Sequence, residues 1–322
     1  MALKLSCAFA TSSLSHEHAA VAEQLGYERA WFYDSPALYP DVWVQMCRAA
    51  ERTDRIGLGP AVLVPNLRHP MTNAAAIATL VDLAGAERVA VAIGSGFTGR
   101  LTLGHRPLPW SYVREYVTTL RGLLNGERVE WEGKTIEMMH PVGFGAPRPM
   151  AVPILIAAAG PKGIAAAQDL GDGIFTTLPA GGEFDWNPVL IMGTVLDAGE
   201  PPGSERAIAA AGHGAAVGLH FAMEFGQTGG LANGPEWAAV YEAIPEDERH
   251  LALHDQHLIA VNERDKPFVT GELLQAQGLA LDHGAWRDRL AGLEAGGATE
   301  VAYQPAGNDI PRELEAFAAL LT

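Results

Sequence analysis

The chain has 322 residues, 48% of them hydrophobic and 19% charged, and a formal net charge of −16. The acid surplus excludes nucleic acid and anionic membranes as partners, and only two cysteines, Cys7 and Cys47, argue against a disulfide framework and fit a cytoplasmic setting. No signal peptide is expected at the start, and no stretch approaches the roughly 20 continuous apolar residues of a membrane span.

In chain order, strand and helix alternate. Leu3 to Ala10 reads as a strand, Ser15 to Leu25 as a helix closed by Gly26, and Ala30 to Tyr33 as a second strand ending in Asp34-Ser35-Pro36. Asp41 to Arg52 is helical, with Asp41 a suitable N-cap. Ile56 to Val64 is the third strand, Pro70 to Leu83 the third helix, Val89 to Ile93 the fourth strand and Tyr112 to Leu124 the fourth helix. Arg128 to Phe144 suggests a small hairpin turning at Glu132-Gly133-Lys134.

Val152 to Thr177 is one complete βαβ unit. Pro153 to Ala158 is a short apolar run, as expected of a strand buried on both faces. Gly160 allows a tight turn, Pro161 suits the first helical position, and Gly171 is read as a left-handed stop before the strand that ends at Thr176 and Thr177. The turn at Gly160, Pro161 and Lys162 offers free N–H groups, a positive helix end and a lysine. That suits a phosphate, and it equally describes an ordinary strand-to-helix connection.

Further on, Val189 to Leu196 reads as helix six, Ile208 to Leu219 as strand seven, Trp286 to Leu293 as a helix, Glu300 to Gln304 as strand eight, and Pro311 to Leu321 as the closing helix. Eight strand–helix repeats predict a single (β/α)8 TIM barrel, with a doubly wound open sheet as the runner-up. Residues 221–281 form an insertion at the carboxyl-end face, where barrel active sites form.

Gly94-Ser-Gly96-Phe-Thr-Gly99 matches G-x-G-x-x-G after a strand. A Rossmann reading fails, because Pro107 and Pro109 interrupt the segment after the glycines and the strand is the fourth in the chain. The glycines more naturally let backbone approach a bulky ligand, with Ser95 and Thr98 as hydroxyl donors.

The order of strand, Pro65-Asn66-x-Arg68-His69-Pro70, helix, then Asp82, Gly85, Arg88, Gly94 and Gly96 resembles the luciferase-like flavin oxidoreductases. Ala157-Ala158-Ala159-Gly160-Pro161-Lys162 with Leu170-Gly171-Asp172-Gly173, and Gly296-Gly297 before Gln304-Pro305, resemble the same family. The resemblance implies a barrel that binds F420, with FMN as the alternative, at the carboxyl ends of its strands. It implies a cis peptide at Ala61–Val62 under the ring. It places Ala61, Val62, Asn66, Gly94, Ser95, Gly96, Thr98, Ala159, Gly160, Pro161, Lys162 and Thr176 at the cofactor. It also implies a homodimer paired through helices two and three, and a flavin or F420 reductase system as supplier of electrons.

Asp34 is the first catalytic candidate, either a polar group beside the ring or a turn carboxylate. Many F420-dependent relatives keep a histidine at the next position, where this chain has Ser35. Without that base, reduction of a small electron-poor substrate is expected rather than alcohol oxidation. His213 and His220, around the seventh strand, could replace that base, and His213 is the second catalytic candidate. His250, His254 and His257 lie in one polar segment that lacks the glutamate of a zinc-protease motif, so a solvated lid helix is expected there and no metal. Within the resemblance the rival is an FMN-dependent monooxygenase; outside it, a barrel that binds a ligand without catalysis.

Overall fold

Short, fully buried apolar runs set the architecture. In the computed structural model, which describes residues 3–180, 184–231 and 233–321, eight parallel strands form one sheet. They are β1 Lys4–Phe9, β2 Arg29–Phe32, β3 Gly57–Leu63, β4 Val91–Gly94, β5 Ile154–Ala157, β6 Gly173–Phe175, β7 Pro188–Met192 and β8 Glu300–Gln304. Their order in space follows the chain from β1 to β6, and β8 pairs with both β1 and β7. Thr176 closes the last gap: its N–H donates to the Pro188 carbonyl at 3.0 Å, and its own carbonyl accepts from Leu190 at 2.7 Å. The chain thus forms the (β/α)8 barrel that strand–helix alternation predicts.

Helices Ser15–Gln24, Val42–Ala50, Pro70–Ala84, Trp110–Asn125, Pro161–Leu170, His283–Ala295 and Ile310–Ala318 (α1, α2, α3, α4, α5, α9 and α10) surround the strands. Asp41 caps α2 as predicted, accepting from the N–H groups of Trp43 and Val44. The hairpin also forms, between Val129–Trp131 and Lys134–Ile136, with Glu132 and Gly133 both at positive φ. A first apolar core lies between strands and helices; a second, including Trp31, Ala92, Leu155, Phe175 and Ala302, fills the barrel. Trp31 and Trp186 each donate an indole N–H to the buried Glu300 carboxylate, at 3.0 and 2.8 Å.

Three local expectations are corrected. The segment read as helix six is β7 followed by the short strand Thr194–Val195, with Pro188 as the first strand residue, where its missing N–H is tolerated. The segment read as strand seven lies inside a 20-residue helix, Glu205–Glu224 (α6), capped by the Ser204 hydroxyl. Gly171 is extended at φ −85° rather than left-handed, and is small because a Cβ there would lie 2.6 Å from the Gly173 carbonyl oxygen.

The excursion between β7 and β8 has its own apolar core. α6, with helices Gly234–Glu242 (α7) and Glu246–Leu253 (α8), packs Trp237, Tyr241, Leu253, Val269 and Leu274 together. Trp237 and Tyr241 are therefore packing residues of this cap. Among the described residues no helix is long and apolar enough to cross a membrane.

Candidate active site

At the carboxyl ends of β2 to β5 and β7, under α6, lies a cavity of about 240 Å³. One wall is mostly backbone. Gly94 pairs with Ala157 across the β4–β5 ladder, and a Cβ at Gly94 would sit 2.9 Å from Val62 Cγ1 and 3.2 Å from the Ala157 carbonyl oxygen. Gly96 has φ +82°, and a Cβ there would meet Val64 Cγ1 at 2.3 Å. The Ala61–Val62 peptide is cis, as the resemblance implies, and the β3–β4 register shifts beside it. Ala61, Gly94, Gly99 and Ala157 give this wall only small side chains or none. Phe97, Leu190, Met192, Val217, Phe221 and Leu258 make the remaining surface apolar.

The polar groups at this cavity are few. Asp34 lies just beyond the end of β2 and is 4% exposed. Burial pushes its pKa up, and the Arg68 guanidinium, paired with it, opposes that rise. Arg68 also holds Asp41 at 2.8 Å, so a residue with the look of a surface position is a clamp on the β2–α2 loop. Ser35 and Ser95 add hydroxyls. Thr98 Oγ1 lies 3.3 Å from His257 Nε2.

The cap is anchored to the barrel mouth by side chains of the β2–α2 loop and of β8. Tyr39 donates to the His257 carbonyl at 2.9 Å, and Gln304, itself accepting from Tyr33, donates to the Leu258 carbonyl at 2.7 Å. His257 and Leu258 thereby become cavity residues.

Of the residues expected at the site, Asp34, Ala61, Val62, Gly94, Ser95, Gly96 and Thr98 line this one cavity. Asn66 lies on the turn after β3 and does not. Ala159, Gly160, Pro161 and Lys162 lie beyond the end of β5, at the start of α5, outside the lining. Thr176 faces away, accepting from Asn187 Nδ2 at 2.9 Å; its neighbour Thr177 lines the cavity instead. His213 is fully buried on α6, away from the cavity lining, with neither ring nitrogen hydrogen-bonded, and burial lowers its pKa to about 4. His254 and His257 are buried, against the expectation of a solvated helix, and His220 of α6 joins them.

Sequence reasoning missed Phe97, Phe221, His257 and Leu258 as lining residues. Only the position of the insertion on the carboxyl-end face pointed toward the last three. A larger cavity, about 570 Å³, sits at the opposite end of the barrel around Lys4, Arg29 and Glu300. It lies at the amino ends of the strands, where barrel enzymes do not build active sites.

The family model for luciferase-like monooxygenases matches residues 15–188, more than half of the chain. A 5,10-methylenetetrahydromethanopterin reductase of Archaeoglobus fulgidus is 30% identical over 159 residues, covering 48% of this chain and 46% of that protein. An F420-dependent glucose-6-phosphate dehydrogenase of Beutenbergia cavernae is 33% identical over 183 residues, covering 51% and 52%. The chain thus spans about half the length of the curated relatives it matches. Among solved structures, the coenzyme F420-dependent tetrahydromethanopterin reductase of Methanopyrus kandleri superimposes with a TM-score of 0.64 at 19% identity, covering 98% of this chain and 97% of that one. The FMN-bound oxygenating constituent of 3,6-diketocamphane monooxygenase from Pseudomonas putida gives 0.61 at 12% identity, covering 100% and 98%. With the match running from α1 to the start of β7 and the barrel shared throughout, the chain belongs to the luciferase-like monooxygenase family.

Proposed function

We propose that this chain is an F420-dependent oxidoreductase that transfers a hydride from reduced F420 to a small electron-poor organic substrate. The observation that carries this reading is the side-chain-poor wall formed by Ala61–Val62, Gly94 to Gly99 and Ala157, faced by an apolar roof. Such a slot fits a tricyclic ring edge-on to the strand ends, with a second apolar body beside it. The relatives that carry F420 in their names favour F420 over FMN. When bound, the deazaflavin supplies the hydride chemistry. The chain's residues bind, orient and exclude water.

Gly94, Gly96 and Ala61 would hold the ring against backbone. Ser95 and Thr98 would donate hydroxyl hydrogen bonds at its polar edge. The turn Gly160 to Lys162, beyond the strand next to Gly94, would hold the phosphate at the start of α5. Reduction fits better than alcohol oxidation because the described residues give the cavity no free base. Asp34 is committed to Arg68, Ser35 holds no proton-accepting group at neutral pH, and both His257 nitrogens face other side chains. A proton from solvent completes the reduced product.

A homodimer through α2 and α3 belongs to the same proposal, supported by the exposed apolar residues Val44 and Leu83 on those helices. The deciding experiment titrates the purified protein with F420 and with FMN, following tryptophan fluorescence. Anaerobic turnover of reduced F420 with activated alkenes, imines and nitro-compounds is measured next. Saturable F420 binding with such turnover supports the proposal. Tight FMN binding with oxygen uptake and no F420 binding makes the protein a monooxygenase instead.

A further inference from the structure

Three histidines from separate parts of the cap meet behind the cavity wall. His220 stands near the end of α6, His254 ends α8, and His257 lies in the turn after it. One ring nitrogen of each lies within 4.8 Å of the other two, and all three residues are buried. His220 Nδ1 and His257 Nδ1 face each other at 3.0 Å.

The far nitrogens of two of these rings are already engaged. His220 Nε2 is 2.9 Å from Asp265 Oδ2, and His257 Nε2 is 3.3 Å from Thr98 Oγ1. Asp265 is fully buried and is itself fixed by the Trp237 indole N–H at 2.8 Å and the Tyr241 hydroxyl at 2.7 Å. A carboxylate that takes the N–H of one imidazole nitrogen turns the lone pair of the other nitrogen inward. This is the outer-shell arrangement of metal-bound histidines. His254 makes the strongest demand, because both its ring nitrogens are shut off from solvent and neither has a hydrogen-bond partner among the described residues.

We propose that His220, His254 and His257 form a binding site for a divalent transition metal of the zinc type, which ties α6 to the turn that roofs the cavity. Imidazole nitrogens select zinc, copper or nickel over magnesium and calcium. Metal–nitrogen bonds of about 2.0–2.1 Å at the tetrahedral angle place neighbouring ligand atoms about 3.3–3.4 Å apart; the His220 and His257 nitrogens, at 3.0 Å, reach that spacing with a small side-chain shift. Charge is balanced locally. Three imidazoles lie between two carboxylates, Asp265 behind His220 and Glu224, whose Oε1 is 3.8 Å from His254 Nε2. Glu224, beside His254, would supply the fourth ligand. The site joins α6 to the turn carrying His257 and Leu258, which form part of the cavity roof. Its role is structural and independent of which cofactor the barrel takes.

The test is metal analysis of the full chain, produced without a polyhistidine tag, before and after dialysis against dipicolinate. Zn2+ and Co2+ are then added back. The proposal expects about one zinc per chain through gel filtration, a melting temperature that falls on stripping and recovers with Zn2+, and a tetrahedral Co2+ visible spectrum. His254→Ala and His220→Ala should bind Zn2+ at least 100-fold more weakly, and Glu224→Gln, at a partly exposed position, about 10-fold more weakly. Zn2+ should no longer raise the melting temperature of the histidine variants, whatever their own stability. Substoichiometric metal with no thermal response of the wild-type chain to Zn2+ would overturn the proposal. So would binding that survives in all three variants, which would mark an adventitious surface ion.

Discussion

Arg68 reaches from the exit of β3 to the carboxylate of Asp34 at the exit of β2 and pairs with it, while its second Nη holds Asp41 at 2.8 Å. One guanidinium thus fixes both a carboxylate that lines the cavity and the N-cap of α2. Because Asp34 is 4% exposed, its charge depends on that partner. Asp34→Asn should keep turnover of an electron-poor substrate within about tenfold of wild type, since a solvent proton suffices. If Asp34 were the base of an alcohol oxidation, the same change would cost about 10²–10⁴ in kcat. Steady-state kinetics in both directions separates the two cases. Rapid reduction of F420 by alcohols or sugar phosphates, lost in Asp34→Asn, would reverse the assigned direction.

The rings of Phe97 and Phe221 stack at a centroid distance of 4.5 Å and 6° between planes, across the gap between barrel and cap. Both line the cavity, and Phe221 keeps 39% of its surface exposed. A ring pair at the entrance suits the substrate rather than the strand-end slot. Phe221→Ala should raise KM for apolar substrates about 5–10-fold and leave kcat within about twofold, the pattern of lost uniform binding. The Kd for F420 should change little. An equal loss in F420 affinity would place the cofactor ring under the aromatic pair.

Most of the barrel was legible because its strands are short apolar runs bounded by glycine or proline, and its helices carry caps such as Asp41. The misread pair, β7 and α6, shows where that signal fails. Val189 to Leu196 is apolar nearly throughout, so length alone had to decide between strand and helix. Ile208 to Leu219 holds three glycines, which argue against a helix by propensity. They are there for packing: a Cβ at Gly212 would lie 2.5 Å from Val261 Cγ2. The N-cap Ser204 followed by Glu205 was the available clue. The floor of the cavity was legible for a different reason, because glycines in sequence report where backbone must lie close to something. Its roof was not, since Thr98 and His257, both lining residues, are 159 positions apart and meet only through the folding of the cap over the barrel.

Arg88 belongs to the motif that signals the family, yet the structure gives it no place at the cavity. Its guanidinium donates to the Thr53 carbonyl at 2.9 Å, the Thr53 hydroxyl at 2.6 Å and the Ile56 carbonyl at 3.0 Å, all buried at the entry to β3. Arg88→Ala leaves these acceptors unpaired and should destabilise the chain by about 3 kcal/mol, read from urea unfolding. Arg88→Lys should recover less than half of that, because a single ammonium nitrogen cannot reach the acceptors that Nε, Nη1 and Nη2 contact separately. F420 affinity of the folded fraction should stay within about twofold. Normal stability with lost binding would show instead that Arg88 acts at the site.

Glu200 provides a pH dependence whose sign is fixed by its surroundings. Burial alone would raise its pKa, but hydrogen bonds from Arg206, the Ser204 hydroxyl and the Asp197 N–H outweigh that and lower it from 4.5 to about 2. A folded-state value below the unfolded one means that the carboxylate stabilises the fold in full above pH 4.5. That contribution is lost progressively as pH falls toward 2. Solvent around the pair screens it, so about 1–2 kcal/mol is expected at neutral pH. Arg206 also holds Glu313 at 2.8 Å, so the same guanidinium ties the start of α6 to α10. Glu200→Gln should therefore lower the melting temperature by a few degrees at pH 7, and the gap to wild type should narrow to about half as the pH is brought down to 3. A gap that stays constant across this range would mean that the loss comes from packing around Arg206 and not from the ionised carboxylate.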